Sequence, residues 1–207
     1  MANIALSSWS NWSEVWTTAI SGPSVQNYKA IISEPEANTR RAYIWVLGTI
    51  TVIIMIYLAL AIAHIPVHIT PFRGLAKGGG SFPVSLSCGL PIALVVGAIA
   101  FTAEVALVKF FAGLAGAERT DKDERLTYLL AAIQSPMAFV YLLFLLLPEH
   151  ILLTALAFMV FGYNLYLITQ ALRAVYGFAW QRALIVVLLT VMVNTSILFL
   201  FTLIVQR

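Results

Sequence analysis

From Tyr43 onward the chain alternates long apolar runs with short polar breaks, and five runs are long enough to cross a bilayer. They are Tyr43 to Ile65, Val84 to Phe111, Leu126 to Leu147, Ile151 to Ala171 and Ala183 to Val205. About 20 helical residues, at 1.5 Å each, match a hydrocarbon core of about 30 Å. Each run meets that length. The longest, Val84 to Phe111, amounts to about 42 Å of helix and is the only one carrying Glu or Lys, at Glu104 and Lys109. It is expected to be the span around which the others are arranged.

Ahead of the first span the pattern turns from continuous to periodic. Trp9, Trp12, Trp16 and Ile20 recur at spacings of three and four, which places them on one helical face. Asn11 followed by Glu14 resembles a capping box, so a helix is expected from about position 11. Tryptophan favours the headgroup level, so the tail reads as an amphipathic helix at the membrane interface, with Arg40 and Arg41 just ahead of the first span. The competing reading packs the tryptophans against the bundle or a partner chain. Gly22-Pro23 breaks this helix, and Val25, Tyr28, Ile31 and Ile32 form a second amphipathic stretch that stops before Pro35.

These patterns define an all-α, polytopic integral membrane bundle of five transmembrane helices. Residues 1–42 form an amphipathic cytoplasmic segment and residues 43–207 the membrane domain. The breaks differ in kind. Residues 65–83 are rich in Pro and Gly and cannot be regular helix; Lys77 to Ser81 lacks the GxxxxGK[ST] order of a phosphate loop. Residues 117–125 carry four acids and three bases, which reads as a solvated turn, with Thr120 and Asp123 as a cap for the third span. Pro148-Glu149-His150 is a tight hairpin that sets the fourth span antiparallel to the third. Pro91, behind Gly89, is expected to kink the second span, and Ala93 with Gly97 offers a small-residue face for close helix approach.

Composition agrees with the pattern. The chain is 61% hydrophobic and 10% charged, against about 25% charged in ordinary soluble domains. Its net charge of +3 is spread along the chain with no basic run beyond Arg40-Arg41, which argues against nucleic acid. The lone Cys88 excludes an intrachain disulfide. Residues 1–20 lack the basic and apolar regions of a signal peptide, so the first span is expected to start insertion. With the N-terminus cytoplasmic, inside segments hold eight Lys and Arg and outside segments three, which favours N-inside and C-outside, in a bacterial cytoplasmic membrane.

Chemistry-bearing residues are few. Glu104 is the foremost, because a carboxylate in a bilayer costs on the order of 2.5–3.5 kcal/mol and tends to face a bundle interior or water. It is a candidate proton or cation site, with Gln134, Asn164 and Asn194 as partners from three other spans. The plainer reading makes it structural: Lys109 marks the cytoplasmic end, and Glu104 reaches toward the interface. Five residues apart, the two point about 140° from each other and are poor direct partners. Tyr163, Asn164 and Tyr166 form a polar patch suited to interhelical hydrogen bonds. His64 and His68 have metal-like spacing, but Pro66 breaks the helix that would align them, and no metal site or cofactor is expected. No nucleophile and base pair up in sequence, so an enzyme is not indicated.

Three stretches resemble the prokaryotic branch of the Yip (Ypt-interacting protein) family of five-span membrane proteins. They are PSVQNYKAIISEPEANTRRAYIW leading into the first span, LTYLLAAIQSP from Leu126 to Pro136, and LITQALRAVYGFAWQRALIVVLL with Gly177 and Ala183. The resemblance implies a cytoplasmic tail, five spans and a short C-terminus. Eukaryotic members bind lipidated GTPases through a tail motif, Asp-Leu-Tyr-Gly-Pro, of which only Gly22-Pro23 stands here; the resemblance therefore does not extend to GTPase binding. Together the residues point to a non-enzymatic scaffold or accessory subunit whose partners are the lipid bilayer and other integral membrane proteins or a second copy. A small transporter or ion-conducting protein centred on Glu104 is the alternative, and a membrane-shaping or trafficking-adaptor-like protein a weaker one.

Overall fold

The computed structural model describes residues 12–35, 37–62, 82–118, 122–146 and 151–205. Among these there are seven helices and no strand: α1 (Trp12–Ser21), α2 (Val25–Ile32), α3 (Thr39–Ile62), α4 (Phe82–Leu114), α5 (Lys122–Leu146), α6 (Ile151–Tyr176) and α7 (Trp180–Val205). The last five are long and apolar enough to span a membrane. The chain is an all-α polytopic membrane protein. Expectations for Trp9, Asn11, His64, His68, the Pro- and Gly-rich connection, Thr120 and the Pro148–His150 hairpin fall outside the described residues.

Most helices run past the apolar runs that predict them, and local chemistry says why. Asn38 Oδ1 accepts from the Arg41 amide at 2.9 Å, which starts α3 ahead of Tyr43. Ser24 caps α2 in the same way, its Oγ accepting from the Asn27 amide at 3.1 Å. Asp123 and Glu124 stand in the first turn of α5, where a helix favours negative charge. Two glycines in the left-handed region end α4 and α6. Gly116 has φ 88°, and the Ala117 amide reaches back to the Ala112 carbonyl at 2.9 Å, the six-to-one bond of a Schellman motif. Gly177 has φ 71°, and its amide meets the Arg173 carbonyl at 3.0 Å. Pro91 and Pro136 both lie within their helices.

The spans close into a ring in the order α3, α5, α6, α7, α4, with a slighter contact between α4 and α5. The hub is not the Val84–Phe111 span but α5. In the most apolar stretch of α5, 61% of residues are buried, against 17% to 22% in the other four spans. Its run from Leu126 to Ile133 is buried on every side. Helices α3 and α6 flank it, and α1 and α2 cover the side that would otherwise face out.

Packing is uneven along the spans. At the end where α3, α5 and α7 begin, the core holds Trp45, Tyr128, Leu129, Leu130, Val108, Leu172 and Val186. We call this the inner half. Toward the other end, exposure spreads round the helices: Leu152, Phe158 and Met159 of α6 are 73%, 70% and 64% exposed. This outer half has little core of its own among the described residues.

Candidate functional site

The polar groups within the spans gather where the inner half gives way to the outer. Helix α4 continues to Leu114, so Glu104 stands about 15 Å from the end of the helix rather than at its edge. Its Oε1 accepts a hydrogen bond from Gln134 Nε2 of α5. One face of α5 carries both Gln134 and Tyr141, seven residues on. Tyr141 lies close enough to Asn164 of α6 and to Glu104 to interact electrostatically with both. Asn164 Oδ1 is a buried acceptor with no hydrogen-bond partner among the described residues. Three helices thus contribute to one polar cluster.

Of the partners named from the sequence, Gln134 is joined directly to Glu104 and Asn164 comes near through Tyr141. Asn194, half-buried on α7, makes no hydrogen bond among the described residues. Lys109 is half-exposed and forms no ion pair with Glu104. Glu104 is matched to an amide, not to a cation. Tyr141 was missed by sequence reasoning, although its seven-residue spacing from Gln134 marks the shared face.

On the inner side the cluster meets apolar packing. Val105 and Val108 of α4, Leu130 and Ile133 of α5, Leu167 of α6 and Val186 of α7 are all buried there. These side chains form an apolar plug, with Thr127, Thr169 and Gln170 also buried in the inner half. Among the described residues no group of three or more His, Cys, Asp or Glu is placed to hold a metal ion.

The tail makes a second, denser constellation. Helix α1 buries Val15 and Ala19 and turns its tryptophans to the bundle. Trp12 and Trp16 meet Trp45 edge-on, with ring centroids 5.9 and 6.2 Å apart, and Trp16 lies 6.4 Å from Phe139. Trp45 in turn packs on Tyr128 at 4.8 Å. Arg41 closes the group: its guanidinium lies 5.3 Å from the Trp45 ring centre and its Nη1 is 4.0 Å from Glu34. Arg40 beside it is exposed.

Tyrosines strap the hairpin formed by α1 and α2. Tyr28 OH donates to the Ala19 carbonyl at 2.7 Å, Tyr163 OH to the Ile20 carbonyl, and Tyr166 OH to the Pro23 carbonyl at 3.5 Å. Burial pushes the Tyr28 phenol well above its ordinary pKa, so it stays a donor at neutral pH. Tyr163 and Tyr166 thereby serve the tail, and Tyr166 also packs its ring 5.7 Å from Trp180 of α7. Gly97 faces Ile50 of α3, and a methyl added there would overlap the Ile50 Cδ1. The nearby Ala93 is half-buried.

A groove of about 370 Å³ runs beside α1, lined by Ser13, Trp16, Thr17, Ile20, Ser21 and Pro136. The Thr17 and Ser21 hydroxyls already donate to carbonyls four residues back, at 2.5 and 2.7 Å, which leaves little to orient a ligand.

Compared with family models, curated proteins and solved structures, the chain matches none.

Proposed function

We propose that the protein is a non-enzymatic scaffold or accessory subunit of a larger membrane assembly. The observation that carries this reading is the outer half of α6. From Leu152 to Tyr163 its residues are exposed or half-exposed on all sides, and a Cβ added at Gly162 would touch nothing within 4 Å. A span with so few neighbours of its own gains packing when a partner span lies against it, because helices in lipid associate by close packing and small residues permit it. Purification in mild detergent, with mass spectrometry of the co-purifying subunits, tests this. Larger membrane proteins in fixed stoichiometry are expected; the chain emerging alone, as a single species, would sink it.

One observation favours a second reading, an ion- or proton-handling protein. Glu104 is held by Gln134 within a cluster that also contains an acceptor without a partner on Asn164. The apolar plug weighs against it. Reconstituted vesicles decide: equal proton or cation flux in Glu104→Gln and the parent protein removes this reading.

A further inference from the structure

The turn of the α1–α2 hairpin sits unexpectedly deep along the bundle. Its carbonyls at Ile20 and Pro23 are held by Tyr163 and Tyr166 of α6. Those tyrosines stand about 20 and 15 Å, in helical rise, from the inner end of α6 at Tyr176. The segment Ser21 to Ser24 is not regular helix throughout, and exposed polar residues flank it: Ser21, Gln26, Asn27 and Lys29. The Ser24 side chain satisfies one amide of the α2 N-terminus, at Asn27. Irregular backbone and helix ends do not occur bare in hydrocarbon, where each unmet group costs several kcal/mol.

The bare apolar surface therefore differs between the two flanks. On the hairpin flank, α6 is exposed or half-exposed from Leu152 to Tyr163, about 17 Å of helix. On the opposite flank, α4 exposes apolar side chains from Ile92 to Leu114, about 33 Å. Helix α7 does so from Ile185 to Leu203, about 27 Å. A hydrocarbon core of about 30 Å fits the second flank and overshoots the first by about 13 Å.

We propose that this chain thins the bilayer on its α1–α2 flank, drawing the headgroup layer down to the level of Tyr163 and Tyr166. The ligand of this surface is lipid headgroup and water, and the hairpin is the wedge that brings them there. The molecule is then a lateral step in membrane thickness, which goes beyond a scaffolding role and does not depend on it.

The test uses the full chain in dioleoyl-phosphatidylcholine vesicles, with nitroxide labels at single cysteines in a Cys88→Ala background. Ser21→Cys and Gln26→Cys report on the hairpin turn. Leu189→Cys, exposed on α7 at nearly the depth of Tyr166, reports on the far flank. Collisions with a water-soluble nickel chelate relative to oxygen should be about tenfold more frequent at Ser21→Cys and Gln26→Cys than at Leu189→Cys. Oxygen-dominated collisions at all three would mean undistorted hydrocarbon around the turn and would overturn the proposal. Low collision with both reagents at the turn would mean that protein covers it, which also overturns it.

Discussion

The inner and outer halves of the bundle share one set of helices but are built on different principles. The inner half is specified by interlocking side chains: Trp45 touches Trp12, Trp16, Tyr128 and Arg41 at once. In the outer half the same helices expose Val52, Ile92, Phe158, Met192 and Phe199 to whatever surrounds them. Both halves are apolar, so hydrophobicity is not what separates them. In lipid an apolar residue gains nothing by leaving the solvent, and only packing and hydrogen bonds make a core. The inner half has both. The five spans pack on one another there, and the hairpin adds to that packing by covering α5.

The largest effect expected is therefore a split between two aromatic truncations. Trp45→Ala removes a fully buried ring from the inner half. Because the unfolded helices stay inserted, the transfer term largely cancels and the cavity remains, at a cost of about 3 kcal/mol. Phe158→Ala, at a site 70% exposed, should cost less than about 0.5 kcal/mol. Unfolding in mixed micelles measures both. Similar losses at the two sites would mean that the outer half has a core after all.

Next come the helix ends. Gly177→Ala and Gly116→Ala place a side chain at φ 71° and 88°, in the left-handed region that disfavours a Cβ by roughly 1–2 kcal/mol. Both glycines close the inner half, and both losses should appear in the same unfolding assay. An unchanged midpoint in either variant would show that the loop relaxes at no cost, and the inner half would then be less rigid than its packing implies.

How much of this was legible in the sequence follows from what each signal contrasts. The five spans could be read because apolar runs differ sharply from the polar breaks. The tail's helical faces could be read because Trp12, Trp16, Tyr28 and Ile31 alternate with Ser, Thr, Asn and Lys. The hub could not. Leu126 to Ile133 is apolar but for Thr127, and the exposed turns of α4 are as apolar, so no periodicity tells a buried helix from a bare one. Glu104 with Gln134 was among the pairings the sequence offered, since a carboxylate in a span needs a polar neighbour. Tyr141 was not, because an aromatic in an apolar run reads as packing. The straps from Tyr163 and Tyr166 escaped for a different reason: they accept no local signal, and only the fold brings residue 20 to residue 163.

Those straps give a smaller, pH-dependent effect. Tyr28 is buried and donates to Ala19, and desolvation raises its pKa in the folded state. The unfolded chain releases this proton near the ordinary value of 10.0 while the folded chain retains it. Its contribution to stability is complete below pH 10 and falls as pH climbs beyond that value. Tyr28→Phe should cost about 1 kcal/mol at neutral pH through the lost hydrogen bond. It should also flatten part of the decline in stability at alkaline pH. A decline as steep as in the parent chain would mean that the hairpin opens before Tyr28 ionises.

The smallest effect sharpens the comparison most, because it separates self-packing from packing against a partner. At Gly97 an added methyl meets Ile50 Cδ1, the flexible end of a side chain, so Gly97→Ala should cost only a few tenths of a kcal/mol as Ile50 turns away. Ile50→Val, which shortens that side chain, should recover most of it. At Gly162 an added methyl meets nothing, so Gly162→Ala should leave the stability of the isolated chain within about 0.5 kcal/mol of the parent. If a partner span lies on the bare outer half of α6, the same change should lower the yield of co-purified subunits while the isolated chain stays as stable as before. A Gly162→Ala chain that recovers every subunit in full would place the partner elsewhere and leave the outer half to lipid alone.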